Sequence, residues 1–146
     1  MVQFDHAGNV RLIVLLAGLA LSSAVSAAPT MEQPLTDQPG DPARGKAVAV
    51  NSDMGNCIIC HHIPVAEVPE GAFGDIGPDL AGVGSRLSEP ELRQRIVDAK
   101  QINPESMMPS YFLKDGLTRV QAQYAGKTIL TAQQVEDLVA YLMTLK

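Results

Sequence analysis

Two cysteines and a histidine, in Cys57-Ile58-Ile59-Cys60-His61, are the residues of this chain whose types and spacing can do chemistry. Cys-x-x-Cys-His is the attachment sequence of a c-type haem. In such a site the two thiols add to the porphyrin's vinyl groups as thioethers, and the adjacent imidazole coordinates the iron. One helical turn brings sulfurs three residues apart onto neighbouring positions, and the next residue then projects over the ring. Cys57 and Cys60 are therefore the expected anchors of one covalent haem c, with His61 as an axial iron ligand. Two other chemistries compete for a Cys-x-x-Cys. A structural zinc site usually needs four ligands, and beyond this cluster and His62 the chain offers only His6, in a segment expected to be removed. A dithiol oxidoreductase expects the motif after the first strand of a βαβ pattern, whereas here it follows a helical stretch and precedes long loops.

A second axial ligand is sought in Asn103-Pro104-Glu105-Ser106-Met107-Met108-Pro109-Ser110-Tyr111, where a thioether on a loop could reach the iron from the face opposite His61. Met108 is the candidate, because Pro109 pushes it out of the helical region into an extended conformation that projects the side chain inward. Met107 is read as filler, the commoner use of methionine. Gly77-Pro78-Asp79-Leu80 offers a carbonyl at Pro78 that could accept the other ring N–H of His61, which is how a ligating imidazole is normally oriented. The same residues also make an ordinary Pro-Gly turn, and locally the two readings stay open.

The elements that must position these groups are helical. Asp41-Pro42 is a helix start, an N-cap carboxylate with Pro at the first helical position, and Ala43, Ala47 and Val50 fall on one face. Gly45 lies inside this helix, at a local cost of roughly 1 kcal/mol relative to Ala, which signals close approach of another helix or simple tolerance. Residues 63–84 have no convincing period and read as loop. Ser88-Glu89-Pro90-Glu91 is a capping box opening a helix to about Lys100, with Leu92, Ile96 and Ala99 inward. Arg93, Arg95 and Lys100 on that helix read as solvated, or as rim charges that steer a redox partner. Residues 116–129 read as a loop closing over the haem. Thr131 to Gln134 is another capping box, and Val135, Leu138, Val139, Leu142 and Leu145 describe an amphipathic final helix with Tyr141 on its flank, positioned to pack over Gly45.

The whole chain bounds what these parts can do. Its 146 residues, 46% hydrophobic and 18% charged, suit one globular domain. With 4% aromatic residues and no Trp, its core is poor in large flat side chains, a gap that a porphyrin would fill. A net charge of −5 and a pI near 5.0 argue against nucleic acid. Both thiols lie in the motif, which excludes a disulfide framework and leaves no thiol for nucleophilic chemistry. Residues 1–27 read as a secretory signal peptide: Arg11 precedes the apolar run Leu12 to Leu21, and Val25-Ser26-Ala27 offers a cleavage site. An uncleaved anchor competes with that reading, although the run is short for a span. Residues 28–40, with Pro29, Pro34, Pro39 and Gly40, read as a flexible leader, and 41–146 as the domain. Export agrees with the haem motif, because c-type haem is attached on the oxidising side of the membrane. The expected location is the periplasm, with membrane contact only through the signal segment.

Taken together, Gly45, Cys57-Ile58-Ile59-Cys60-His61, Gly77-Pro78-Asp79-Leu80, Met108-Pro109 and the final helix with Tyr141 resemble the class I cytochromes c, over about Asp41 to Lys146. The resemblance implies an all-α fold of short helices and long loops wrapped around one covalent haem. It assigns His61 and Met108 as axial ligands, the Pro78 carbonyl as support for His61, and Gly45 with Tyr141 as the helix crossing. A narrower resemblance rests on Arg44-Gly45-Lys46-Ala47, Gly55-Asn56-Cys57, residues 103–111, Asp115-Gly116-Leu117-Thr118-Arg119-Val120 and the ending from Ile129 to Leu145. These are similar to the SoxX family, the small monohaem subunits of SoxAX cytochromes. That similarity implies an electron-relaying subunit of a periplasmic thiosulfate-oxidising complex (an L-cysteine S-thiosulfotransferase), with a larger SoxA-type partner carrying the catalytic site and a downstream electron acceptor. The competing expectation is a freestanding diffusible cytochrome of a respiratory chain.

Overall fold

The computed structural model describes residues 31–146, apart from the side chain of residue 123; the expected signal segment and the first residues of the leader lie outside that range. Among the described residues there are four α-helices, α1 (Pro42–Val50), α2 (Val83–Arg86), α3 (Glu89–Asp98) and α4 (Ala132–Thr144), with short 3₁₀ turns between them and no strand. None of these helices is long and apolar enough to cross a membrane. The all-α expectation holds.

The caps form as the sequence predicts. The Asp41 carboxylate accepts from the N–H groups of Ala43 and Arg44 at 2.8 and 3.0 Å, satisfying first-turn donors that have no partner within the helix. Ser88 with Glu91, and Thr131 with Gln134, close capping boxes on α3 and α4.

Helix α4 is the spine: α1, α2 and α3 all pack on it, α1 most extensively. Val135, Leu138, Val139, Tyr141 and Leu142 face inward, against Val48 and Ala49 of α1 and Leu92 and Ile96 of α3. At Gly45 the main chains touch. A Cβ there would overlap the Asp137 carbonyl and lie 2.7 Å from the Tyr141 Cβ, so only glycine permits this approach. The contact also selects which face of α1 is buried. Gly45, Val48 and Ala49 are inside and Val50 is half-buried, whereas Ala43 and Ala47, which share one face with Val50 in the sequence pattern, are exposed. Small alanines gain little by burial, so the position able to reach the α4 backbone decides the helix's rotation.

The segment expected to be a flexible leader is docked over 31–40. It forms no helix, as its prolines require. Its backbone is nevertheless held: Leu35 N–H donates to Glu136 at 2.9 Å, and the carbonyls of Met31 and Pro39 accept from Arg93 and Gln133. The donors and acceptors that tether it come from α3 and α4, which local composition does not report. Arg93 likewise is not solvated. It is 2% exposed, and its guanidinium makes two 2.8 Å bonds to the Glu136 carboxylate.

Candidate haem site

The Cys57–Ile59 turn follows Asn56, whose φ of +46° places it in the left-handed region that asparagine tolerates better than most residues. This reversal starts the turn, and the His61 N–H closes it by donating to the Cys57 carbonyl at 2.9 Å. The loop from Gly74 to Leu80 then runs alongside the motif. Gly74 N–H donates to Ile58, Gly77 N–H to Cys60 and Leu80 N–H to His62, at 2.8, 2.7 and 3.0 Å. These bonds bring the Pro78 carbonyl to 2.6 Å from His61 Nδ1, leaving Nε2 as the nitrogen available to a metal. Gly77 completes the arrangement, because a Cβ there would intrude on the imidazole, 2.6 Å from Nδ1.

His62, beside the motif, also grips this loop. Its Nδ1 lies 3.0 Å from Asp79 Oδ1, and its ring meets Phe73 edge-on with centroids 5.0 Å apart. The Asp79 hydrogen bond raises the His62 pKa, and Glu70 adds to it from Nε2 at 3.5 Å.

Cys57, Cys60 and His61 open into a cavity of about 580 Å³ walled largely by apolar side chains, including Leu80, Val83, Leu92, Ile96, Leu138 and Leu142. Met107 and Met108 line the same cavity. Met108 is half-buried against the core, while Met107 is 75% exposed and does not fill the interior as the sequence reading had it.

The Met108 segment is held from α3 and the turn after it. Lys100 Nζ donates to the Met108 carbonyl at 2.9 Å, Ser110 Oγ to Asp98 at 2.7 Å, and Tyr111 N–H to the Ile96 carbonyl at 3.1 Å. Burial pushes the Asp98 carboxyl up, but hydrogen bonds from Ser110, Gln101 and the Lys100 N–H outweigh it and hold the group below its ordinary value.

Sequence reasoning missed several of these groups. Tyr111 is buried on the cavity wall and donates its hydroxyl to the Gly55 carbonyl at 2.7 Å, fastening the Met108 segment to the approach to Cys57. Arg86 and Arg95 also line the cavity. A capping serine or a buried apolar period announces itself locally; a tyrosine bonded 56 residues away does not. The loop expected to close over the haem, 116–129, lines no part of the cavity and projects into solvent.

The arrangement fits a covalent haem. The cavity is apolar, both thiols stand at it, and a glycine clears the ring of the histidine that would face the metal. Burial pushes the Cys57 thiol up to about 11, the opposite of the lowered value that marks a reactive dithiol. Among the described residues, no group of three or more His, Cys, Asp or Glu is placed to hold a metal ion by itself, which leaves the zinc reading without a ligand set.

Comparison with known proteins agrees with the geometry. The family model for cytochrome c matches residues 42–146. Among solved structures, the crystal structure of SoxXA from P. pantotrophus is similar, with a TM-score of 0.72 and 37% identity over 80% of this chain and 90% of the matched one. No curated protein matches the chain.

Proposed function

This chain belongs to the cytochrome c family, carrying covalent haem c, and from that premise we propose that it is the electron-relaying small subunit of a periplasmic, SoxAX-type thiosulfate-oxidising complex. The observation that carries the electron-transfer part is the fixed orientation of His61 by Pro78 at one wall of an apolar cavity that Met108 also lines. The similarity to a SoxXA structure supports the subunit assignment.

In this reading Cys57 and Cys60 would hold the haem through thioethers, and His61 Nε2 and Met108 Sδ would hold its iron. The haem supplies a reversible one-electron iron couple. The Pro78 carbonyl accepts the Nδ1 proton of His61, which fixes the ring's tautomer and orientation. With His61 and Met108 both holding the iron, no position on it would be left for a substrate, and with both thiols consumed no cysteine could carry sulfur. Sulfur chemistry therefore belongs to the larger partner, and this chain accepts electrons from it and passes them to a downstream acceptor. A thioether ligand in an apolar cavity favours the reduced iron relative to two imidazoles, which suits an acceptor.

Isolation of the tagged full chain from native periplasm, with a haemochrome spectrum of the product, tests this. The expected result is a stable heteromer with a larger haem protein that has thiosulfate-dependent electron transfer into this chain. A fully functional monomer would instead make it a diffusible carrier.

A further inference from the structure

The chain leaves the core at Tyr111 and returns at Leu130, whose N–H donates to the Tyr111 carbonyl at 3.0 Å. Every described side chain from 114 to 127 is exposed, and the only helical structure is the single 3₁₀ turn Ala122–Tyr124. Long closed loops of this kind are uncommon in compact domains and are usually functional. This one does not contribute to the haem cavity. It carries four large apolar side chains in solvent: Leu117, Val120, Tyr124 and Ile129 are 37, 40, 54 and 48% exposed. Its charge is also opposite to that of its surroundings. Lys114, Arg119 and Lys127 stand against the single acid Asp115, whereas acidic residues outnumber basic ones two to one in the rest of the described chain. Arg119 itself is held at φ +60°, a conformation uncommon for a residue with a side chain.

We infer that loop 114–129 is the docking element for the larger subunit, which must present an apolar recess ringed by carboxylates. The inference rests on the heteromeric reading above and gives it a location. Apolar groups with a basic rim match an interface whose core is apolar and whose charges select the partner. An anionic bilayer is the poorer occupant, because an extended negative surface would repel the acidic remainder of the chain, whereas an acidic patch confined to the loop's footprint would not. Since the loop stands apart from the cavity wall, docking through it leaves the cavity-lining surface available for electron exchange.

Hydrogen exchange on the complex isolated through a tag on this chain, compared with the same chain after dissociation in high salt, is the direct test. Amides 114–129 should exchange at least about tenfold more slowly in the complex only. Leu117→Ser with Tyr124→Ser, and separately Lys114→Glu with Arg119→Glu, should each weaken binding of the purified larger subunit by about tenfold or more. The charge variant's deficit should shrink as salt is raised, and both variants should keep the haem spectrum and thermal midpoint of the parent chain. An intact complex with an unprotected loop and unweakened variants overturns the docking site while leaving the heteromer in place. A haem-loaded chain that never acquires a partner overturns both. Capture by phosphatidylglycerol vesicles that is lost in the charge variant, together with no protection in the complex, overturns the protein partner in favour of a lipid surface.

Discussion

The Ser110 hydroxyl donates to the buried carboxylate of Asp98 at 2.7 Å, and through this bond the end of α3 holds the segment that carries Met108 two residues earlier. With Lys100 on the Met108 carbonyl, the segment is gripped on both sides of Pro109. Ser110→Ala should leave the Asp98 carboxylate short of a donor, costing about 1–2 kcal/mol in thermal or denaturant unfolding. The absorption band of methionine-ligated haem should weaken in the same variant. An unchanged band would show that the clamp supports the fold without placing Met108.

The same carboxylate makes a pH prediction. Because the folded Asp98 is held below its ordinary value, its contribution to stability is fully present above the unfolded pKa, about 3.9, and is lost as pH falls through the lower folded value. Asp137 behaves alike: burial raises it, but bonds from Arg44, Gln133 and the Asp41 N–H more than offset this. Between about pH 5 and pH 2 the parent chain should lose stability more steeply than Asp98→Asn, measured as thermal midpoint against pH.

Met108→Leu should leave the haem covalently attached and open one axial position, so that the reduced protein binds carbon monoxide stoichiometrically and its reduction potential falls. Met107→Leu should do neither, since that side chain is 75% exposed. Carbon monoxide binding confined to the Met107 variant would exchange their roles.

Gly77→Ala should displace the His61 ring from the Pro78 carbonyl, because the added carbon would intrude on the imidazole. The expected signature is faster exchange of the Nδ1 proton, followed by NMR, together with a shifted potential. Covalent attachment through Cys57 and Cys60 should persist.

Removing the Arg93 guanidinium as Arg93→Met should cost about 3–5 kcal/mol, because Glu136 is left buried and unpaired. The double variant Arg93→Met/Glu136→Leu should recover much of that loss. Limited proteolysis should cut 31–40 faster in both, since the Met31 carbonyl loses its Arg93 donor and, in the double variant, Leu35 also loses its acceptor. Equal stability of the two variants would mean that the pair's isolated charge was never the problem.

Much of the architecture was legible because it is written in local patterns. The caps at Asp41, Ser88 and Thr131, the inward period of α4 and the proline-rich stretches all report on chain within a few residues of themselves. What escaped was decided by contacts across the chain. Arg93 has the type of a surface residue and becomes buried because Glu136, on another helix, meets its fork. Ala43 and Ala47 form a plausible face until Gly45 touches the α4 backbone and turns that face outward. The loop after Gly116 has the composition of a haem cover, yet the Tyr111 to Leu130 closure sends it into solvent.

The sequence by itself determined the cofactor and its attachment, because thioether and imidazole chemistry needs residue types at a short fixed spacing, and Cys57, Cys60 and His61 state both. It also determined the helical class, through caps and periodicity. Only the tertiary structure decided that Pro78 stands 2.6 Å from His61, that Asp98 and Lys100 grip the Met108 segment, and that loop 114–129 is left exposed. Those are distances between residues far apart in the chain, set by how the helices pack on α4 and by which polar groups must find partners once they are buried.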